Sequence, residues 1–92
     1  MTLAVVWADD ATADFLDILD YIAARNVAAA DRLEALMQHA ADRLPDHPYI
    51  HRPGRIPGTR EAIVHPNYIL VYRVGAEAID ILAILHARQQ YP

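Results

Sequence analysis

The stretch from residue 58 to residue 74 constrains the fold most, because it predicts two paired strands around a tight turn. Residues 59–65 mix small or branched apolar residues with charged ones, and residues 68–74 are mostly aromatic or branched. Such residues suit a half-buried pleated surface. Pro66 and Asn67 interrupt the pattern. Proline cannot donate to a strand ladder and asparagine tolerates turn conformations, so the hairpin turn is predicted at these two residues.

A two-residue turn fixes the register of this hairpin. It places His65 opposite Tyr68, and it places Arg60 opposite Arg73. A third strand is predicted at residues 78–86, after a three-residue turn. The remaining predicted pairs are Val64 with Ile69, Ala62 with Val71, Arg73 with Ile79, Val71 with Ile81, and Ile69 with Ala83.

This register divides the predicted sheet into two dissimilar faces. Apart from Arg60 and Arg73, one face is aliphatic, and we expect it to form the core beneath the helices. Its members are Ala62, Val64, Ile69, Val71, Ile79, Ile81, Ala83 and Leu85. The other face is mixed, and we expect it to meet water or a partner. Its members are Glu61, Ile63, His65, Tyr68, Leu70, Tyr72, Asp80, Leu82, Ile84 and His86. The third strand is apolar on both sides, which predicts a central position.

A strand at residues 3–7 and two amphipathic helices precede the hairpin. Phe15, Ile18 and Ile22 recur at helical spacing, and a second helix is predicted from about residue 28 to residue 44, where Pro45 ends it. Its apolar stripe contains Leu33, Leu36, Met37, Ala40 and Leu44. The predicted order is β-α-α-β-β-β: an α+β fold with a mostly antiparallel sheet and a helical hairpin packed on one face.

Length and composition predict one globular domain spanning residues 1–92. The chain has no cysteine, which excludes a disulfide framework and thiolate metal sites. It has no apolar run of membrane-spanning length and no basic leader, so we expect a cytoplasmic protein without membrane contacts. Residues 1–46 hold nine acids and three arginines, a balance of −6, whereas residues 47–92 hold three acids and five arginines, a balance of +2.

The most basic segment is the irregular loop at residues 47–57. Arg52 and Arg55 lie there near Tyr49, and an arginine beside an aromatic ring can bind phosphate or an acidic partner. A solvated loop is the alternative. The histidines lack the spacing of a metal site, so neither a metal nor another cofactor is expected.

Several motifs in this order resemble the RelE/ParE superfamily of bacterial toxins. They are Gly-Thr-Arg-Glu at residues 58–61, Asn-Tyr-Ile-Leu-Val-Tyr-Arg-Val at 67–74, and Ile-Leu-His-Ala-Arg-Gln at 84–89. The resemblance implies the toxin of a type II toxin–antitoxin operon. It also implies a small antitoxin as partner. The toxin would bind operator DNA only through this antitoxin. ParE-like members inhibit DNA gyrase by protein–protein contact, and RelE-like members cut messenger RNA on the ribosome without a metal.

Departures from the nuclease pattern favour the ParE branch. Nuclease members tend to carry a catalytic arginine where this chain has Ile69, and several lysines where it has none. No catalytic residue is therefore favoured, and Arg52, Arg55 and Arg88 are predicted to contact the target. The nuclease alternative would use His86, Arg88 and Tyr91, with His65 nearby, as acid, base and phosphate ligand. A third alternative is an inactive remnant that binds the antitoxin and regulates the operon.

Two further predictions concern the sheet. Arg60 opposite Arg73 is a repulsive pair, so a carboxylate from the helices, a bound anion or an antitoxin side chain should lie between them. The mixed face is predicted to bind the antitoxin because it would expose apolar side chains. The antitoxin-binding residues predicted there are Ile63, Tyr68, Leu70, Tyr72, Leu82 and Ile84.

Overall fold

The computed structural model describes residues 3–88, which fold as two helices packed on a five-stranded sheet. The elements are β1 Ala4–Trp7, α1 Asp9–Ala23, α2 Val27–Arg43, a 3-10 helix Leu44–Asp46, β2 Arg52–Pro53, β3 Arg60–His65, β4 Tyr68–Val74 and β5 Ala78–His86. The strand order is β1-β5-β4-β3-β2, with β1 parallel to β5 and the other neighbours antiparallel. The predicted α+β architecture is confirmed, with the short strand β2 as an addition.

Local sequence signals explain where the helices begin and end. Asp9 and Asp10 occupy the first turn of α1, where carboxylates complement the helix dipole. Asn26 caps α2 by accepting a hydrogen bond from the backbone N–H of Ala29 at 3.0 Å. The predicted boundaries lie close to these, but the predicted apolar stripe of α2 is wrong in part, because Leu36 is 46% exposed.

The helical hairpin covers a different set of β4 side chains from the predicted one. Leu70 and Tyr72 are fully buried and pack in the main core with Leu33 and Met37 of α2. The predicted core members Ala62, Val64, Ile79 and Ile81 pack there too. By contrast, Ile69, Val71 and Leu85 form a second, smaller cluster with Ala83 and Ala87. Neighbouring strand residues point to opposite faces. The prediction that Ile69 and Val71 lie beneath the helices is therefore wrong.

Two β-bulges and a longer connection between β4 and β5 cause this difference. Val74 pairs with Ile79, so four residues separate this pair rather than the predicted three. Ile63 pairs with Ile69 and His65 pairs with Tyr68, so Val64 is an extra residue in β3. Leu82 is likewise extra in β5, between the residues that pair with Val71 and Tyr72. A bulge shifts the register by one residue and moves the following side chains to the other face. The predicted pair of His65 with Tyr68 is confirmed, and the other predicted pairs are wrong. The observed pairs include Arg60 with Tyr72, Glu61 with Val71, Ala62 with Leu70, Arg73 with Asp80 and Val71 with Ala83.

The strand β5 lies inside the sheet, as predicted, with β1 on one side and β4 on the other. Its pairing with β1 ends at Ile81. Beyond that point, the backbone N–H of Ile84 donates to Oδ2 of Asp14 on α1 at 3.1 Å. An α1 side chain thus replaces the missing strand partner. Within residues 3–88, neither helix has the length and apolar character needed to cross a membrane.

Candidate functional site

The hairpin turn and the end of β5 bring three side-chain rings together beside α1. Tyr68 is paired with His65 across the turn and with His86 across the β4–β5 ladder. The ring centroids of His65 and Tyr68 are 5.7 Å apart, and those of Tyr68 and His86 are 5.6 Å apart. The rings of Tyr68 and His86 border a cavity of about 410 Å³. Its lining residues are Asp17, Ile18, Tyr21, Tyr68 and His86.

Backbone groups orient both imidazoles. Nδ1 of His65 accepts a hydrogen bond from the N–H of Asn67 at 3.0 Å, and Nδ1 of His86 accepts one from the N–H of Arg88 at 3.2 Å. A neutral imidazole whose Nδ1 is an acceptor carries its proton on Nε2. The turn and the strand end therefore fix the tautomer of each neutral ring.

The charge at this cavity comes from α1. The carboxylate of Asp17 forms no hydrogen bond or ion pair with any residue between 3 and 88, and no arginine is among the described side chains that line the cavity. Sequence analysis did not identify Asp17 or Tyr21 as site residues. Their spacing of four residues places them on one helix face, but only the tertiary packing brings that face to Tyr68 and His86. Of the predicted nuclease set, Tyr91 lies outside the described residues.

A buried carboxylate, Glu61, holds two of the predicted target-binding arginines. Its Oε1 lies 2.9 Å from Nη2 of Arg52, and its Oε2 lies 3.8 Å from Nε of Arg55. Oε2 also accepts a hydrogen bond from the backbone N–H of Arg55 at 3.2 Å. The arginine side chains are 51% and 37% exposed, so both remain accessible while paired. A carboxylate shared by two arginines was predicted, but at Arg60 and Arg73.

The predicted repulsive pair does not form. Arg60 lies opposite Tyr72, and its Nη1 donates to the carbonyl oxygens of Tyr49 and His51 at 3.2 and 2.8 Å. Arg73 is opposite Asp80 instead, with Nη2 3.4 Å from Oδ2. No anion is needed between Arg60 and Arg73, and the prediction of one is wrong.

Arg60 and Tyr72 together hold the loop that follows the 3-10 helix. The hydroxyl of Tyr72 donates to the carbonyl oxygen of Pro48 at 2.6 Å. The ring of His51 packs against that of Tyr72, edge to face, at 6.0 Å. Burial, and secondarily the charge of Arg60, lowers the pKa of His51 from its ordinary value. Burial raises the pKa of Tyr72, although Arg60 opposes that shift.

The six predicted antitoxin-binding residues do not form one surface, because they differ in burial and lie on both faces of the sheet. Leu70, Tyr72 and Ile84 are at most 4% exposed beneath the helices, so the prediction that they form an open surface is wrong. Ile63 is 60% exposed on the opposite face. Tyr68 and Leu82 are half-buried. Within the described range 3–88, no group of three or more histidine or acidic side chains is arranged to hold a metal ion.

Comparison with known proteins gives one family. A family model described as the ParE toxin of the type II toxin-antitoxin system, parDE, matches residues 5–91. The Sinorhizobium fredii protein Y4kP is 40% identical over 73 residues, which cover 78% of this chain and 75% of that protein. Toxin RelE2 of Caulobacter vibrioides is 36% identical over 85 residues, which cover 90% of this chain and 93% of that protein.

Solved structures share the fold at lower sequence identity. The chromosomal ParDE TA system from P. aeruginosa contains a chain that matches with a TM-score of 0.82 and 21% identity, covering 92% of this chain and 96% of that one. A chain of the toxin-antitoxin complex RelBE2 from Mycobacterium tuberculosis matches with a TM-score of 0.65 and 23% identity, covering 94% of this chain and 99% of that one.

Proposed function

Because the chain belongs to the ParE toxin family of type II toxin–antitoxin systems, we propose that it inhibits DNA gyrase by protein–protein contact and that a cognate antitoxin neutralises it. In this proposal the toxin needs no catalytic residue. The target is contacted by three arginines, Arg52, Arg55 and Arg88. The first two are bound by Glu61 but remain accessible.

The observation that carries this proposal is the charge around His86. Metal-free cleavage of RNA requires positive charge where the scissile phosphate sits. The cavity at His86 instead contains the carboxylate of Asp17, which has no partner among residues 3–88, and none of its lining side chains in that range is an arginine. A carboxylate there would repel the phosphate. This arrangement favours inhibition by contact over cleavage.

A second feature supports the same choice. The position where nuclease relatives are expected to carry an arginine is occupied by Ile69, which is 3% exposed within the second, smaller cluster. An arginine there would have to leave that cluster to reach a phosphate. The chain therefore presents an aliphatic side chain where the nuclease mechanism would require a cation.

Cleavage of messenger RNA is the alternative, and the ring cluster gives it specific support. His65 and His86 flank Tyr68, and each has its neutral tautomer fixed by a backbone donor. Two oriented imidazoles about one tyrosine could transfer protons in a cleavage reaction. The name of the relative RelE2 points the same way.

Two parallel assays test the choice. Purified toxin is added to gyrase supercoiling reactions and to ribosomes translating a reporter message, each with His86→Gln as the matched variant. We expect inhibited supercoiling, an intact message and unchanged potency of His86→Gln. Cleavage of the message that is lost in His86→Gln, with gyrase unaffected, would overturn the proposal. Inactivity in both assays with retained antitoxin binding would favour a regulatory remnant.

A further inference from the structure

The cavity beside α1 has the shape and chemistry of a site for a cationic side chain. It lies between α1 and the paired ends of β4 and β5, and its volume is about 410 Å³. The rings of Tyr68 and His86 meet at an interplanar angle of 77°, so they form two walls at nearly a right angle. Tyr21 lines the same cavity. Aromatic rings arranged around a space attract cations through their electron-rich faces.

Asp17 supplies the complementary charge. Its carboxylate lines the cavity and has no partner among residues 3–88. An anionic ligand would be repelled by this carboxylate, and a metal ion would find only one carboxylate ligand there. A cationic side chain can interact both with the faces of the rings and with the carboxylate of Asp17. The planar guanidinium of arginine is the better fit, because it can stack on a ring while donating to a carboxylate.

The chain already contains one example of this recognition. The guanidinium carbon of Arg25 lies 3.9 Å from the centroid of the Tyr21 ring. Nη1 of Arg25 also donates to the carbonyl oxygen of Tyr21 at 3.0 Å. A tyrosine of the cavity wall therefore binds a guanidinium in the structure itself.

We propose that this cavity receives an arginine side chain of the antitoxin. The inference rests on the proposed function, in which an antitoxin neutralises the toxin. The half of the chain that supplies α1 and α2 has a balance of −6, whereas the proposed target-contacting arginines lie in the half with a balance of +2. This difference in charge fits two partners, with the target at the basic half and the antitoxin at the acidic half. The cavity takes its only charged lining residue in the described range, Asp17, from the acidic half, and is therefore assigned to the antitoxin.

A small-molecule experiment tests the chemistry of the cavity without any partner. N-acetylarginine amide is titrated into the isotope-labelled chain, and N-acetylcitrulline amide serves as the neutral isostere. We expect the arginine probe to shift the ring resonances of Tyr68 and His86 with at least roughly tenfold tighter binding than the citrulline probe. Asp17→Asn should remove this preference. Asp20→Asn, an equal loss of charge on the same helix, should retain it. Equal binding of both probes, or an equal effect of both variants, would overturn the proposal.

A second experiment identifies the source of the arginine. The affinity of the toxin for its co-purified antitoxin and its potency on gyrase are measured for Asp17→Lys and Asp20→Lys, with circular dichroism to verify folding. We expect Asp17→Lys to lose at least roughly tenfold in antitoxin affinity, and far less in potency on gyrase. Unchanged antitoxin affinity, or a loss confined to gyrase, contradicts the proposal. If the unaltered chain does not inhibit gyrase, the proposed target is wrong, but the antitoxin affinities still decide this inference.

Discussion

Glu61 shows how one side chain organises an otherwise irregular loop. It is 3% exposed, and its two oxygens bind Arg52 and Arg55. Removing the charge should leave both arginines without their carboxylate. We expect Glu61→Gln to lower the free energy of unfolding by about 1–3 kcal/mol, measured by urea denaturation. Asp80→Asn, which breaks the half-exposed pair with Arg73, is the control and should cost at most about 1 kcal/mol. Equal losses would contradict the structural role of Glu61.

His51 should make stability depend on pH. Its pKa is lowered in the folded chain, first by burial and then by Arg60, so the folded state resists protonation more than the unfolded state does. The unfolded chain binds the extra proton, so stability is lost as pH falls below the ordinary value of 6.5 and levels off below the folded-state pKa. We expect His51→Gln to flatten this dependence. Urea denaturation of both chains between pH 7.5 and 5 tests this, and parallel curves would exclude His51 as the cause.

At the scale of elements, the sequence predicts which segments form helices and strands but not how the strands align. The order of the predicted elements, the turn at Pro66 and Asn67, and the interior position of β5 are all confirmed. The bulge at Val64 shifts the β3–β4 register. The β4–β5 register differs because four residues, not three, separate Val74 from Ile79, and the bulge at Leu82 shifts it again farther along. Val64 and Leu82 are ordinary aliphatic strand residues, without the glycine that marks some bulges. Because β4 is apolar on both sides, hydrophobic pattern could not correct the error.

The same register shifts explain which parts of the site were predictable. The ring of Tyr68 meets two histidines, because its pair with His65 lies next to the turn and its pair with His86 lies at the end of β5. The pair of His65 with Tyr68 was predicted. The partner of Arg60 lies beyond the Val64 bulge, and the partner of Arg73 depends on the length of the β4–β5 connection, so both were missed. Asp17 was missed for another reason: only packing of α1 against β5 determines which helix face meets the cavity.

The contact between α1 and β5 gives a prediction at this scale. Asp14 accepts a hydrogen bond from the N–H of Ile84, where β1 no longer pairs with β5. Asp14→Ala leaves this N–H without its acceptor and should cost about 1–3 kcal/mol. Asp14→Asn keeps an acceptor and should cost less. Exchange of the Ile84 amide with deuterium should accelerate in Asp14→Ala and remain slow in Asp20→Ala. Slow exchange in Asp14→Ala would mean that the N–H has another acceptor.

The whole molecule has two sides that differ in both covering and charge. On one side the acidic helical hairpin buries the larger cluster against the sheet. On the other side the sheet carries the smaller cluster, with Glu61 paired to Arg52 and Arg55. In the proposed function, these two sides are the separate surfaces for the target and for the antitoxin. This division depends on which face of the sheet the helices cover.

Two single lysine substitutions on adjacent strands test that face assignment. Leu70 is fully buried beneath the hairpin, so Leu70→Lys places an ammonium group in the main core and should unfold the chain or cost several kcal/mol. Ile63 is 60% exposed on the opposite face, and Ile63→Lys should change stability by at most about 0.5 kcal/mol. In a domain of this size, 1 kcal/mol corresponds to a shift of about 4–8 °C in Tm. Thermal unfolding should therefore separate the two variants clearly. If Leu70→Lys melts like the unaltered chain while Ile63→Lys unfolds, the helices must cover the other face.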